Sequence, residues 1–346
     1  MKPTLNDVAR SAGLSIATVS RALHRHDSRN VSPETRKRVQ TIARDLGYRP
    51  NLLGRSLVTG RTQTVSYWTP DSFAPYYALV ARGICHEAVR RRYYVHTVDR
   101  ENHLNARETL TGRPTALELN LDGVIACDIA YDVNPHVAQL RQRGVPMISI
   151  GINYPEDGDY VGIDIDQGTA LVIQHLLETG RKRIAHMTYT NAEEGRDPRV
   201  LVYKRLMNAA GLRPEVILVP SFSRAGARKG IATYVREHGL PEAIFCVNDE
   251  VAVGCYRGLA DIGVNVPSDT LLAGFDGIEE TEYQCCPITT VAAPVKEMCR
   301  LAWDFLENRI RDPGRAWQQV TLPPTLICRE SSGTAPQETA PDSPTH

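Results

Sequence analysis

Residues 15 to 21, Ser15-Ile16-Ala17-Thr18-Val19-Ser20-Arg21, gather hydroxyls, short apolar groups and one guanidinium within about two helical turns. On a helix, Arg21 can fork onto guanine O6 and N7, worth about 1 to 3 kcal/mol of base discrimination, while Ile16 and Ala17 can touch thymine methyls. Ser15, Thr18 and Ser20 are spaced for phosphate oxygens. A three-helix protein-interaction module, with Arg21 as a solvated surface charge, is the plain alternative at this point. Other chemistry is sparse. There is no Gly-x-Gly-x-x-Gly after the first strand, no Gly-Lys-Ser/Thr phosphate cradle and no Gly-x-Ser-x-Gly nucleophile elbow. His24 and His26 are the only close histidine pair and have no further ligand group beside them, so neither a metal nor a cofactor is implied. The eight cysteines never form Cys-x-x-Cys and read as reduced and mostly packed.

The elements that must position residues 15 to 21 are legible around them. Thr4 and Asp7 read as a capping-box-like start for a helix whose inner face is Leu5, Val8, Ala9 and Ala12, stopped by Gly13. Ser15 caps the next helix at once, with Ile16, Val19 and Ala22 or Leu23 as its inner face. Ser32-Pro33-Glu34 opens a third helix with a Val39, Ile42, Ala43, Leu46 stripe, ended by Gly47. The short turn at Gly13 and the small Ala9 suit a helix-turn-helix.

Charge is distributed in a way that fits a polyanion partner at one end. The 346-residue chain has 40 basic and 40 acidic side chains, but residues 1–62 hold twelve of the bases and only four of the acids, leaving a net +8 head on a net -8 body. With 42% apolar residues, the length calls for two or three globular units. No apolar run approaches the roughly 20 residues of a membrane span, and the first residues lack the apolar stretch of a secretory leader, so a cytoplasmic, nucleoid-associated location without a membrane partner is expected.

Three segments carry a resemblance. Leu5 to Leu23 (LNDVARSAGLSIATVSRAL), Val31 to Arg36 (VSPETR) and Leu46 to Asn51 (LGYRPN) strongly resemble the DNA-binding head of lactose-repressor (LacI/GalR) family regulators. Asn51-Leu52-Leu53-Gly54-Arg55-Ser56-Leu57 resembles the family's hinge, a short helix that enters the minor groove when two subunits sit on an operator. The resemblance makes Leu57 the apolar wedge at the central base step, Arg55 a phosphate or base-edge contact, and Asn51 and Gly54 part of the same interface. Gly54 stands where the family usually has alanine and costs about 1 kcal/mol of helix propensity, so hinge folding here leans more heavily on DNA.

Beyond Gly60, apolar strands alternate with helices, which argues for parallel sheets flanked by helices. Strands are expected at 64–69, 93–98, 121–127, 145–150, 183–188, 215–219, 243–247 and 271–274, the last closing the second sheet. Helices are expected at 76–92, 170–179, 200–210, 225–238 and 250–262. This body also resembles the family, through Leu121-Asp122-Gly123-Val124-Ile125, Arg143-Gly144-Val145-Pro146, Asn248-Asp249-Glu250-Val251-Ala252 and Gly274-Phe275-Asp276-Gly277. The resemblance implies three crossovers and a helix at 295–311 returning to the first subdomain. It implies an effector cleft lined by Tyr76, Tyr77, Asp164, Arg199, Asn248 and Asp276. Each has a duller reading: the tyrosines can pack a helix start, Asp164 can cap a helix, Arg199 can pair with Glu193 or Glu194, and Asp276 can cap the turn before Gly277.

The expected fold class is an all-α helix-turn-helix head plus an α/β periplasmic-binding-protein-like core of two doubly wound parallel-sheet subdomains. The expected domains are a head at 1–49, a hinge at 50–61, an N-subdomain at 62–163 with 291–320, a C-subdomain at 164–290 with 321–330, and a disordered tail at 331–346. The expected function is a sequence-specific regulator, a repressor, that binds a double-stranded operator as a homodimer under control of a sugar-like or purine effector. Dimer pairing is expected through helix 76–92 and through 252–262. A cytosolic small-molecule-binding protein or enzyme on the same core is the alternative.

Overall fold

The computed structural model describes residues 3–23, 31–48, 60–99, 120–129, 135–152, 154–189, 197–221 and 223–333. The chain divides into two compact units, Met1–Thr62 and Gln63–His346.

In the first unit, α1 (Leu5–Ala12), α2 (Ile16–Leu23) and α3 (Pro33–Asp45) surround a small core of Val8, Ala9, Ala12, Val19, Ala22, Val39 and Ala43. Local chemistry sets each boundary. Thr4 and Asp7 form a complete capping box on α1, and Gly13 ends it in the left-handed region at φ 62°, which costs glycine nothing. Ser15 Oγ accepts from Thr18 N at 3.1 Å to start α2, and Ser32 Oγ accepts from Thr35 N at 3.2 Å to start α3. Ile16 does not join the inner face expected for it. It is 50% exposed, because Val19 and Ala22 already fill the space under α2.

In the second unit, most inner strands are largely apolar runs buried on both faces, the pattern of parallel sheets covered by helices. The first sheet holds β1 (Thr64–Thr69), β2 (Tyr94–Asp99), β3 (Gly123–Cys127), β4 (Met147–Gly151), β5 (Asp159–Ile163) and β11 (Gln319–Leu322), in the order β11-β5-β4-β3-β1-β2 with every pair parallel. The second holds β6 (Ile184–Tyr189), β7 (Glu215–Val219), β8 (Ala243–Cys246), β9 (Leu271–Asp276), β10 (Thr289–Ala292) and β12 (Thr325–Ile327), in the order β12-β10-β9-β8-β6-β7. Among the described residues, only β10 and β12 pair antiparallel.

The second sheet therefore does not close at β9. Two further strands follow, and β9 itself runs on to Asp276. The chain passes between the sheets after Ile163, after Ala292 and between Leu322 and Thr325, the last two or more residues beyond the boundary expected at 320.

Helices α4 (Pro75–Arg91), α5 (Pro135–Gln142), α6 (Ile165–Glu178), α7 (Pro198–Ala209), α8 (Arg224–His238), α9 (Asp249–Asp261) and α10 (Val295–Arg311) cover the sheets. α10 returns to the first sheet, where Met298, Cys299, Ala302, Trp303 and Leu306 pack with Val80 and Ile84 of α4. The tail expected from Ser331 does not begin there. Ser331 is buried, donates to Leu272 O at 2.6 Å and accepts from Thr289 N at 2.8 Å, while Ser332 Oγ lies 2.7 Å from Thr289 Oγ1. Side chain to backbone hydrogen bonds, not hydrophobicity, hold this segment. All eight cysteines are free thiols, five of them buried.

Candidate functional sites in the head and the cleft

On α2 the sequence-predicted residues separate by exposure. Ser15, Ile16 and Ala17 are exposed, while Thr18, Ser20 and Arg21 are half-buried. Ser15 and Thr18 share a hydroxyl contact at 2.9 Å, and Arg21 Nε donates to Ala17 O at 3.2 Å. The helix thus presents two aliphatic side chains beside a row of hydroxyls and an arginine, a surface that can meet base edges and phosphates together. Arg38 Nη2 donates to Ala12 O and Arg36 Nη1 to Ala22 O at 3.3 Å, so α3 fixes the ends of α1 and α2. Asn51, Gly54, Arg55 and Leu57 lie outside the described residues.

In each sheet of the core the strand order reverses between the first strand and the third, at β1/β3 and at β6/β8, and ligands of doubly wound sheets bind at the carboxyl ends beside such points. The candidate residues leave those ends. Tyr76 and Tyr77 open α4 after β1, with ring centroids 5.4 Å apart and planes at 65°. Asp128 follows β3; Asp197 and Arg199 open α7 after β6; Asn248 follows β8; Asp276 ends β9. These groups converge electrostatically. Tyr76 and Tyr77 feel Asp128 of their own subdomain and Asp276 of the other, and Arg199 feels both carboxylates.

Arg199 is buried and its fork is engaged. Nε and Nη2 donate to Asp197 Oδ1 and Oδ2, each at 3.0 Å, and Nη1 donates to Val247 O at 2.9 Å. Burial alone raises the Asp197 carboxyl, but the guanidinium outweighs it and holds the group below the usual carboxylate range. The guanidinium also lies 5.6 Å from the Phe275 ring centroid. Glu193 and Glu194, the alternative partners, lie outside the described residues. Beside this pair His186 is fully buried: Nδ1 donates to Phe245 O at 3.0 Å and the ring stacks on Phe245 at 4.7 Å. Its Nε2 has no hydrogen-bond partner among the described residues, and burial pulls its pKa down to about 4.

Asp164 and Asn248 both cap helices. Asp164 Oδ1 accepts from Gln167 N at 2.8 Å, and Asn248 Oδ1 accepts from Val251 N at 2.9 Å, which leaves the Asn248 amide nitrogen for other work. Asp276 does not cap the Gly277 turn. Asp249 does, accepting from Gly277 N at 2.8 Å, from Ile278 N at 2.9 Å and from the Thr290 hydroxyl at 2.7 Å. Asp276 sits at φ 129°, a strained value for a residue with a side chain, and Asp249 holds the turn that imposes it. Burial first, then the Asp249 charge, pushes the Asp276 carboxyl well up.

Sequence reasoning missed Asp128 and Asp197. Asp128 Oδ1 accepts from Ile152 N at 2.7 Å, and burial raises its carboxyl to about 6 against the pull of that bond, Arg199 and the Tyr77 hydroxyl. Its signal was available: it follows a fully apolar strand, as Asn248 does. Asp197, two residues before Arg199, had no motif to announce it.

Comparison with known proteins agrees with this fold. Residues 4–51 match the profile "Bacterial regulatory proteins, lacI family", and residues 173–332 match "Periplasmic binding protein-like domain". The chain is 31% identical to the HTH-type transcriptional repressor MelR of Bacillus subtilis (strain 168), over 96% of this chain and 98% of that protein. Among solved structures, a LacI family transcriptional regulator from Enterococcus faecium with bound ribose superposes with a TM-score of 0.68 at 25% identity, over 80% of this chain and all of that one. The lac repressor dimer bound to operator and the anti-inducer ONPF shares the fold, with a TM-score of 0.79 at 19% identity over 96% of this chain and 99% of that one. A helix-turn-helix head followed by a two-sheet cleft, matched end to end by such a relative, places the chain in the lacI family of bacterial regulatory proteins.

Proposed function

We propose that this protein is a transcriptional repressor that binds a pseudo-palindromic operator as a homodimer and senses a small-molecule effector, sugar-like or a purine, in the cleft. The observation that carries the reading is the pairing of two features in one chain: an outward Ser15-Ile16-Ala17 edge on a capped helix, and a cleft where Tyr76, Tyr77, Asp128, Arg199 and Asp276 converge. Exposed Val89 on α4, at 75%, and Ile262 at the end of α9, at 40%, supply apolar surface for subunit pairing through the helices 76–92 and 252–262. The relative MelR is a repressor, and the Enterococcus structure holds ribose. No helix among the described residues is long and apolar enough to cross a membrane, which suits action on DNA in the cytoplasm.

Effector binding shifts the angle between the sheets, and that shift biases hinge folding on DNA. By linkage, an effector that lowers operator affinity binds the operator complex more weakly by the same factor. The test is selection of duplexes from a random library, followed by gel shift of the enriched sequence with wild type and Leu57→Ala. The expected result is a two-fold-symmetric consensus, with Leu57→Ala still dimeric but weaker on DNA and less able to bend it. Enrichment of no sequence sinks the reading, and unchanged affinity and bending in Leu57→Ala sinks the hinge assignment.

A further inference from the structure

Arg199 has the placement of an anion receptor, a buried guanidinium at the start of the 12-residue helix α7 on the cleft. That receptor is already filled from within the chain. Asp197, 5% exposed, caps α7 by accepting Arg199 N at 2.9 Å, and the same carboxylate takes Nε and Nη2 of the guanidinium. One side chain therefore occupies both donor sets that a phosphate or a ligand carboxylate would use. The remaining nitrogen, Nη1, is spent on Val247 O.

The other charges in the cleft point the same way. Asp128 and Asp276 are electrostatic neighbours of Arg199, yet the guanidinium is matched by Asp197, so these two carboxylates face the cleft with no cation of their own among the described residues. Asp128 accepts from Ile152 N and from the Tyr77 hydroxyl, and no hydrogen bond from the described residues reaches the Asp276 carboxyl group. Asp249 is consumed by the Gly277 turn and Glu250 by Arg224. Beyond the two tyrosine hydroxyls and the Asn248 amide, this lining offers few donors to its carboxyl groups. Resting on the reading of the cleft as the effector site, we propose that the effector is a donor-rich polyol or amino-polyol without negative charge, and that Asp197 sets this preference as a built-in stand-in for an anion.

The test uses the full chain and two kinds of probe, read by calorimetry and thermal shift. Inorganic phosphate is titrated into wild type, Asp197→Asn and Asp197→Asn/Arg199→Gln. A matched panel of glucose, glucosamine, glucose 6-phosphate and glucuronate, with ribose and ribose 5-phosphate, is titrated into wild type and Arg199→Gln. The expected result is phosphate binding about tenfold or more tighter in Asp197→Asn than in wild type, lost again in the double variant, and panel binding by neutral or amino members only. Arg199-dependent binding of any phosphorylated or carboxylate member to wild type, in preference to its neutral parent, overturns the proposal, as does an Asp197→Asn protein that gains no phosphate. Should Asp197→Asn not fold, the wild-type panel and phosphate titrations decide by the same criterion: Arg199-dependent anion binding overturns the proposal, and its absence supports it. A gain of phosphate in Asp197→Asn with no panel compound bound to wild type, and none altering DNA affinity, keeps the charge inference and sinks the effector reading. An anionic effector does the reverse.

Discussion

Asp128 and Arg21 show how much of the behaviour rests on single side chains. Burial raises the Asp128 carboxyl to about 6, so the folded chain holds its proton more tightly than the unfolded chain does. The sign follows: this group lowers stability as pH climbs from about 4 through 6, and the loss is complete above 6. Asp128→Asn should therefore melt higher than wild type at pH 7.5, with the gap closing toward pH 4.5, and paired thermal melts across that range check it. A gap that widens on acidification would contradict the assignment. Effector affinity should also weaken below about pH 6, where Asp128 stops accepting freely. On α2, Arg21 Nε donates to Ala17 O, and its terminal nitrogens donate no hydrogen bond among the described residues. Arg21→Ala should cost about 1 to 3 kcal/mol of discrimination at one base position, measured by competition between the operator and single-base variants. Equal losses on all duplexes would mark it as a phosphate contact instead.

Between elements, α8 and α9 approach each other backbone to backbone. A methyl at Gly254 would lie 2.3 Å from the Arg224 carbonyl oxygen, and one at Gly258 would lie 2.4 Å from that of Arg228, both backbone atoms that cannot swing aside. Alanine gains up to about 1 kcal/mol of helix propensity over glycine, but overpacking against backbone costs about 1 to 3 kcal/mol. Gly254→Ala should therefore be net destabilising, seen as a lower urea midpoint with an unchanged slope; an equal or higher midpoint would show that the helices have room. Ser331→Ala should cost about 1 to 3 kcal/mol in the same assay, because it strands the buried Thr289 N–H.

These elements differed in how openly the sequence displayed them. Thr64–Thr69 and Glu215–Val219 stand at the bounds expected from their apolar runs, and Val295–Arg311 at those the family resemblance implied. The short β10, β11 and β12 carry too few apolar residues to stand out, and α6 starts five residues before its expected bound because Asp164, not an apolar run, begins it. Residues 331–333 looked disordered by composition, since what holds them is a set of hydrogen bonds to residues about 40 to 60 positions away. In the cleft, Asn248 and Asp276 were legible as ends of apolar strands. The division of labour among Asp197, Asp249 and Asp276 was not, because which carboxylate meets which donor is decided by folding.

For the molecule as a whole, a basic head and an acidic sensing body make DNA affinity both salt-dependent and ligand-dependent. Phosphate contacts by the head should make the observed affinity fall steeply with ionic strength, while base contacts survive as a ratio between sequences. The most direct measurement is fluorescence anisotropy of the full chain on the selected operator and on a scrambled duplex of equal length, at one salt concentration, with and without the compound bound most tightly in the thermal-shift panel. The expected result is an affinity ratio on the order of 10³ or more between operator and scrambled duplex, with the compound moving operator affinity and leaving the scrambled duplex nearly unchanged. Equal affinity for the two duplexes, in the presence and absence of the compound, would contradict it.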